Sequence, residues 1–482
     1  MTDTLQSKST LKPWFATGQK PTGSQFNDWI TSTILEGGNT GSLAYAVQIG
    51  GPTSKATALG SYGSFAQGKM VTSGGYGSFA QGDTVTASSV GAFAQGNLAT
   101  ASGVKGSFAQ GDRAFAVGTY ASFAQGISVI ANGSYGSFAQ GGNATSSGNN
   151  GSFAQGRYAT SYGNYGSFAQ GWHSTAWWDY GSFAQGRNAV SYGLFGAFAQ
   201  GISVIATGNF GSFAQGRNAT SYGNNGSFAQ GRYAKSYGNY GSFAQGWHST
   251  AWGDYGSFAQ GAYVTATGYS GSFAQGSVTW ANGNCGSFAQ GRYATSSGDN
   301  GSFAQGRYAI SYGLFGVFAQ GISVIANGSY GSFAQGGNAT SSGNNGSFAQ
   351  GWGARADGGY GSFAQGRYAT SSGNFGSFAQ GRNATSSGNN GSFAQGSATW
   401  ANGGNGSFAI GSAATANNVG AVQFSTGINS LEYSIKVKDS PRLCGNGTPS
   451  TISNGDIWIT SGTVFVRSDS TTWALLNSGW ST

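Results

Sequence analysis

Along most of the chain, short apolar–polar alternations recur at a fixed interval. In Ser-Phe-Ala-Gln at 152–155, Phe153 and Gln155 fall on one face of an extended segment, and Ser152 and Ala154 on the other. Tyr-Ala-Thr-Ser-Tyr at 158–162 is a second short extended run. Gly156 and Gly163 stand at the joins, where a positive φ would cost glycine nothing. The pattern predicts two short strands and two tight turns per unit.

The unit is fixed by its spacing. Gly-Ser-Phe-Ala-Gln-Gly and its small variants centre on Phe65, Phe79, Phe93 and Phe108, then recur every 15 residues to Phe408. That makes 24 copies, holding 24 of the 33 Phe. Helical repeats need roughly 33–47 residues, so 15 residues suit one coil of a β-solenoid. The predicted fold is all-β, a parallel β-solenoid or β-roll of about 24 coils of 14–15 residues. Stacked at ~4.8 Å per coil, it would form a rod on the order of 110 Å long. Stacking sets Phe153 over Phe168 and Gln155 over Gln170, and such Gln ladders hydrogen-bond along the stack. Whole blocks also recur, such as Trp-His-Ser-Thr-Ala-Trp at 172 and 247. Duplication of intact units works where each unit contacts mainly its neighbours.

One thin coil is poorly self-sufficient. Burying a Phe contributes ~2–3 kcal/mol, whereas ordering 15 residues costs ~1.5 kcal/mol each. A second buried surface is needed, most simply between identical chains. A homo-oligomer is therefore expected.

Composition narrows the functional classes. The 89 Gly are not spaced every third residue and Pro numbers only 5, so collagen is excluded. The aromatic content of 15% does not suit a disordered chain. Cys285 and Cys444 cannot make a disulfide framework. No apolar run approaches the ~20 residues of a membrane helix, and the N-terminus has no apolar core of a signal peptide. Membrane insertion is not expected.

No catalytic, cofactor-binding or metal-binding constellation is apparent, and no enzyme is expected. The Gly-rich spacing lacks a phosphate-binding Lys-Ser/Thr. Asp179 and Asp254 are copies of one turn position, 75 residues apart, and not an acid–base pair. His173 and His248 are likewise copies; three such His on the axis of a trimer would suit a metal, but their place just past a corner Gly argues for an outer surface. Asn143 and Asn218 begin glycosylation-type sequons, to which no role is assigned.

The basic excess is more telling. Residues 60–420 hold 13 Lys+Arg, 6 Asp and no Glu. Eight Arg directly follow the corner Gly: Arg157, Arg187, Arg217, Arg232, Arg292, Arg307, Arg367 and Arg382. Five form Arg-Tyr pairs, with Tyr158, Tyr233, Tyr293, Tyr308 and Tyr368; Trp172 and Trp247 occupy the Arg position in other coils. A cation beside a stacking face suits sugars or acidic polymers. Equally, Arg could simply solvate the rod and discourage rod-to-rod association. Nucleic acid is not expected, since a flat rod offers a strand no groove.

Residues 1–45 differ in composition from the array. Ser24 or Thr22 could cap a helix whose Phe26, Trp29, Ile30 and Ile34 share one face. This helix either docks the chain to a larger particle or caps the rod. AVQIG at 46–50 and AVQFS at 421–425 are variant end coils. The array thus spans 46–425. Residues 426–482 read as a small β-module, in which Ile457 and Ile459 share a face, Ser461-Gly462 turns and Val464 and Val466 follow. Such a module would touch a receptor or register a trimer during folding.

The unit G-S-F-A-Q-G-x-x-A-x-x-x-G-x-x resembles the head repeat of trimeric adhesins of the YadA type, S-V-A-I-G-x-x-A-x-A-x-G-x-x. Gly-Ser-Phe-Ala-Ile-Gly at 406–411 comes nearest, with Ile410 in place of Gln. Phe for Val, Gln for Ile and the fifteenth residue are departures. The resemblance implies a left-handed parallel β-roll in a homotrimer. The stretch 11–34 resembles the N-terminal segment of phage and prophage tail-fibre proteins. The stretches 420–437 and 454–476 resemble trimeric C-terminal modules of phage fibres. Together these imply a bacteriophage fibre, made in the host cytoplasm and carried on the virion. Tail or capsid protein would hold its N-terminus, and host glycan or receptor would be its target. A bacterial surface adhesin or filament subunit remains the alternative. An ice-binding solenoid fits less well, because the expected Thr row is broken by Val190, Lys235 and Ile310.

Overall fold

The computed structural model describes residues 47–49, 56–60, 62–424 and 426–429, and the strand segments 435–437, 443–444, 457–460, 463–467 and 473–476. The protein is all-β, a parallel β-solenoid of about 25 turns, with no helix among the described residues. It divides into two compact units, 1–235 and 236–482. Each carries twelve of the strands that begin at a motif Phe.

Within 1–235, the coil at 151–165 shows how the sequence makes the turn. Phe153–Gln155 and Thr160–Ser161 are its strands. The second is shorter than the sequence pattern predicts, because Tyr158 sits in the left-handed region at φ 59° and breaks the extended run. Phe153–Gln155 pairs in parallel with Phe138–Gly142 before it and Phe168–Gln170 after it, residue for residue. Gly156 takes φ 130°, as the corner predicts. Gly163 does not need a positive φ. It is glycine because a Cβ there would run into the Trp178 carbonyl of the next coil.

The interior of the coil is built almost wholly from small residues. Ser152, Ala154, Ala159 and Ser161 are fully buried. Phe153 and Gln155 lie on the outside, half-buried. The alternation read from the sequence is therefore correct, and the Phe/Gln face points out of the coil. Successive Phe rings stack face to face, with Phe153 and Phe168 centroids 4.6 Å apart and 2° from parallel. Gln170 Nε2 donates to Gln155 Oε1 at 2.7 Å, and Gln155 Nε2 to Gln140 Oε1 at 2.6 Å. Both of these rungs donate toward the N-terminal side.

In 236–482 the same ladders run from Phe243 and Gln245. The Gln row ends where Gln395 meets Ile410. The variant coil that follows keeps the alternation but puts Gln on the inward site. Gln423 lies opposite Ala409 and is fully buried, while Val422 and Phe424 face outward. Its Nε2 donates to the Phe424 carbonyl at 2.9 Å. At the other end of the chain, in 1–235, Gln48 pairs with Ala66 in the same register. Parallel pairing continues through Gly427–Asn429 and Ile435–Val437. A four-stranded sheet of 443–444, 457–460, 463–467 and 473–476 follows. Its hairpin sets Thr460 opposite Thr463, on either side of the predicted Ser461-Gly462 turn.

Many buried hydroxyls pair within the coil. Ser146 Oγ lies 2.6 Å from Ser152 Oγ, and Ser152 Oγ donates to the Gly148 carbonyl at 2.5 Å. Where Ala replaces the first Ser, the second can lose its partners. The hydroxyls of Ser137, Ser182, Ser212 and Ser287 have no partner, and the residues six positions before them are Ala131, Ala176, Ala206 and Ala281. An Ala281→Ser variant should restore the pair with Ser287 and stabilise unit 236–482 by about 1 kcal/mol. A raised urea midpoint with an unchanged slope is the expected readout; a lowered midpoint would show that the interior has no room for the oxygen.

Candidate functional site

The row after the corner Gly is the most distinctive outer feature. All eight corner Arg are exposed. In the Arg-Tyr coils the Tyr takes left-handed backbone, φ 59° at Tyr158 and Tyr233 and 55–58° at Tyr293, Tyr308 and Tyr368. That conformation sets each Tyr ring beneath its own Arg. The guanidinium carbons of Arg157, Arg232, Arg292, Arg307 and Arg367 lie 5.3–5.4 Å from the rings of Tyr158, Tyr233, Tyr293, Tyr308 and Tyr368. This is cation–π distance. Each predicted Arg-Tyr pair is thus brought together.

Neighbouring coils extend the row. Tyr293 and Tyr308 stack at 4.9 Å and 2°. Arg292 and Arg307 lie opposite each other in paired strands, as do Arg217 and Arg232 in unit 1–235. Trp172 carries Arg187 over its ring at 4.6 Å, a pairing between coils that the sequence pattern does not show. Trp247 instead packs beside Tyr263, ring centroids 5.0 Å apart. His173 stacks on Tyr158 at 4.5 Å and His248 on Tyr263 at 5.0 Å. Among the described residues no three His, Cys, Asp or Glu cluster as metal ligands.

None of the eight corner Arg is in an ion pair among the described residues; the pairs there are Lys69–Asp83, Arg113–Asp112 and Arg355–Asp357. A recess of about 230 Å³ is lined by Arg367, Tyr368, Arg382 and Asn383.

Two further aromatic rows emerge only in the structure. One lies at the second turn of unit 1–235, where Tyr165, Tyr180, Phe195 and Phe210 stack in succession at 4.9–5.0 Å. The other is Tyr162, Trp177 and Tyr192 beside the short strand. Their 15-residue spacing is the signal that the sequence carries for them. Trp178 stands where the coils before and after it have Gly163 and Gly193, and its side chain is exposed. Phe26, Trp29, Ile30 and Ile34 lie outside the described residues. Among the described residues no helix is long and apolar enough to cross a membrane.

No protein-family model matches the chain, and no curated protein is similar to it in sequence. Fold and row together define a class: a tandem-repeat parallel β-solenoid that displays a periodic basic–aromatic edge.

Proposed function

We propose that the chain is the shaft-forming subunit of a bacteriophage fibre, a homotrimer that displays a host-adhesive surface and performs no catalysis. The observation that carries this reading is the outward Phe/Gln face. It holds a half-buried Phe in each motif coil and none of the 13 Lys and Arg of residues 60–420. Interface cores are likewise aromatic and depleted of charge. The interior of the coils, made mostly of Ala, Ser and Gly, supplies little burial of its own, so the Phe ladder is the surface that identical chains cover. The resemblance of the repeat to YadA-type heads supports three chains, and the resemblance of both ends to phage fibres supports a virion. Tail or capsid protein would hold the N-terminal segment. The Arg–Tyr row stays outward in this arrangement and supplies many weak contacts to host glycan, which multivalency strengthens.

Light scattering on the full-length protein is expected to give three times the 48.8 kDa chain mass. A monomer would overturn the trimeric shaft. Antibody against the chain should label purified phage particles and block their adsorption to host bacteria; unlabelled particles would move the protein to the bacterial surface as an adhesin or filament subunit.

A further inference from the structure

Within unit 236–482, corner Arg occur as adjacent pairs. Arg292 and Arg307 are register partners in neighbouring strands. Arg367 and Arg382 follow the glycines Gly366 and Gly381 of two successive coils and line one recess with Tyr368 and Asn383. The two pairs are 75 residues apart, which is five coils of 15. At ~4.8 Å per strand spacing, five coils span roughly 24 Å.

Three observations say what such pairs take. First, two guanidinium groups one coil apart repel each other unless an anion lies between them, and the only Arg–carboxylate pair of this unit among the described residues is Arg355–Asp357. Second, each Tyr beside a pair already carries a cation. Tyr293 has Arg292 over its ring and Tyr308 stacked on it. Each Tyr beside a pair has its own Arg over its ring, so what pairing adds to the row is charge and not a further stacking face. Third, the guanidinium is a planar fork that grips a carboxylate through two parallel hydrogen bonds. We infer that the paired corner arginines, Arg292/Arg307 and Arg367/Arg382, are binding sites for the carboxylates of an acidic polysaccharide, one chain of which spans both. This rests on the adhesive-fibre reading and names its ligand class. A polymer with regularly spaced carboxylates engages the second pair at high effective concentration once the first is occupied.

The test uses the full-length protein and polysialic acid as probe, with neutral dextran and polyuridylic acid alongside. The fourfold variant Arg292→Gln, Arg307→Gln, Arg367→Gln, Arg382→Gln changes exposed side chains only. Its control, Lys69→Gln, Lys105→Gln, Arg113→Gln, Lys235→Gln, removes the same charge elsewhere on exposed positions. Thermal melts of both should match the parent. The parent is expected to bind polysialic acid in a salt-dependent manner and to ignore dextran. The paired-Arg variant should lose binding by about tenfold or more, and the control by about twofold or less. Equal losses in the two variants would reduce the sites to net charge and overturn the inference. Polyuridylic acid bound as tightly, with the same loss in the paired-Arg variant, would assign the pairs to nucleic acid instead. If the parent adsorbs to host bacteria but not to polysialic acid, this inference fails and the adhesive fibre stands. If the parent binds polysialic acid as expected but not host bacteria, the sites stand and the adhesive reading falls.

Discussion

A Gly291→Ala variant should lose about 3–5 kcal/mol of stability, among the largest effects of any single substitution in the solenoid. Two costs add at this corner. Gly291 has φ 136°, a conformation that a residue with a Cβ adopts only under strain. A Cβ there would also run into the backbone of Gly306 in the next coil, which is itself held by the parallel ladder and cannot yield. The position is glycine in all 24 motif copies. The other close-approach glycine is less strict, since Trp178 and Ser89 occupy its equivalents. Urea or thermal unfolding followed by circular dichroism reads the loss. A variant that melts within about 1 kcal/mol of the parent would show that the coils can part at the corner without cost.

The second large effect concerns assembly. A triple variant, Phe288→Asp, Phe303→Asp, Phe318→Asp, is expected to shift the proposed trimer to single chains by light scattering. These rings form consecutive rungs, with centroids 4.7 Å apart. Covering the exposed part of each contributes on the order of 1 kcal/mol per ring. In a trimer the variant would bring the new carboxylates of all three chains together on an apolar face, where desolvation and repulsion act together. Phe→Leu at the same three positions keeps apolar area and should remain trimeric. A trimer that survives the Asp substitutions would place the contact on another face. Loss of trimer in both the Asp and Leu variants would point to the ring stack itself as the determinant.

The solenoid was legible because its signal is redundant. Twenty-four copies of one hexapeptide fix the coil length, and the period-two alternation of Ser152, Phe153, Ala154 and Gln155 fixes which side chains share a face. Which face is interior is not fixed by that pattern. It follows from volume: Ser and Ala fill the narrow space between two strands, and a Phe in each coil would not fit there. The Arg-Tyr pairs were legible as neighbours in sequence. The Arg187–Trp172 contact was not, because it joins different coils and depends on how a long side chain crosses the rung. Gly163 reads as a positive-φ corner for a similar reason. A glycine needed for close approach and one needed for φ look alike until the Trp178 carbonyl is seen beside it.

The sameness of the Phe/Gln rungs has a consequence for how three such shafts would align. A face whose rungs are all alike can be matched again after sliding by any whole number of coils, with only the end rungs left uncovered. Such a surface holds its companions firmly side by side yet is blind to their axial offset. Alignment would then come from parts that occur once: the variant coil with Gln423 on its inward site and the non-repeating strands that follow it. In the proposed fibre, cohesion and alignment would be separate tasks given to separate stretches of the chain.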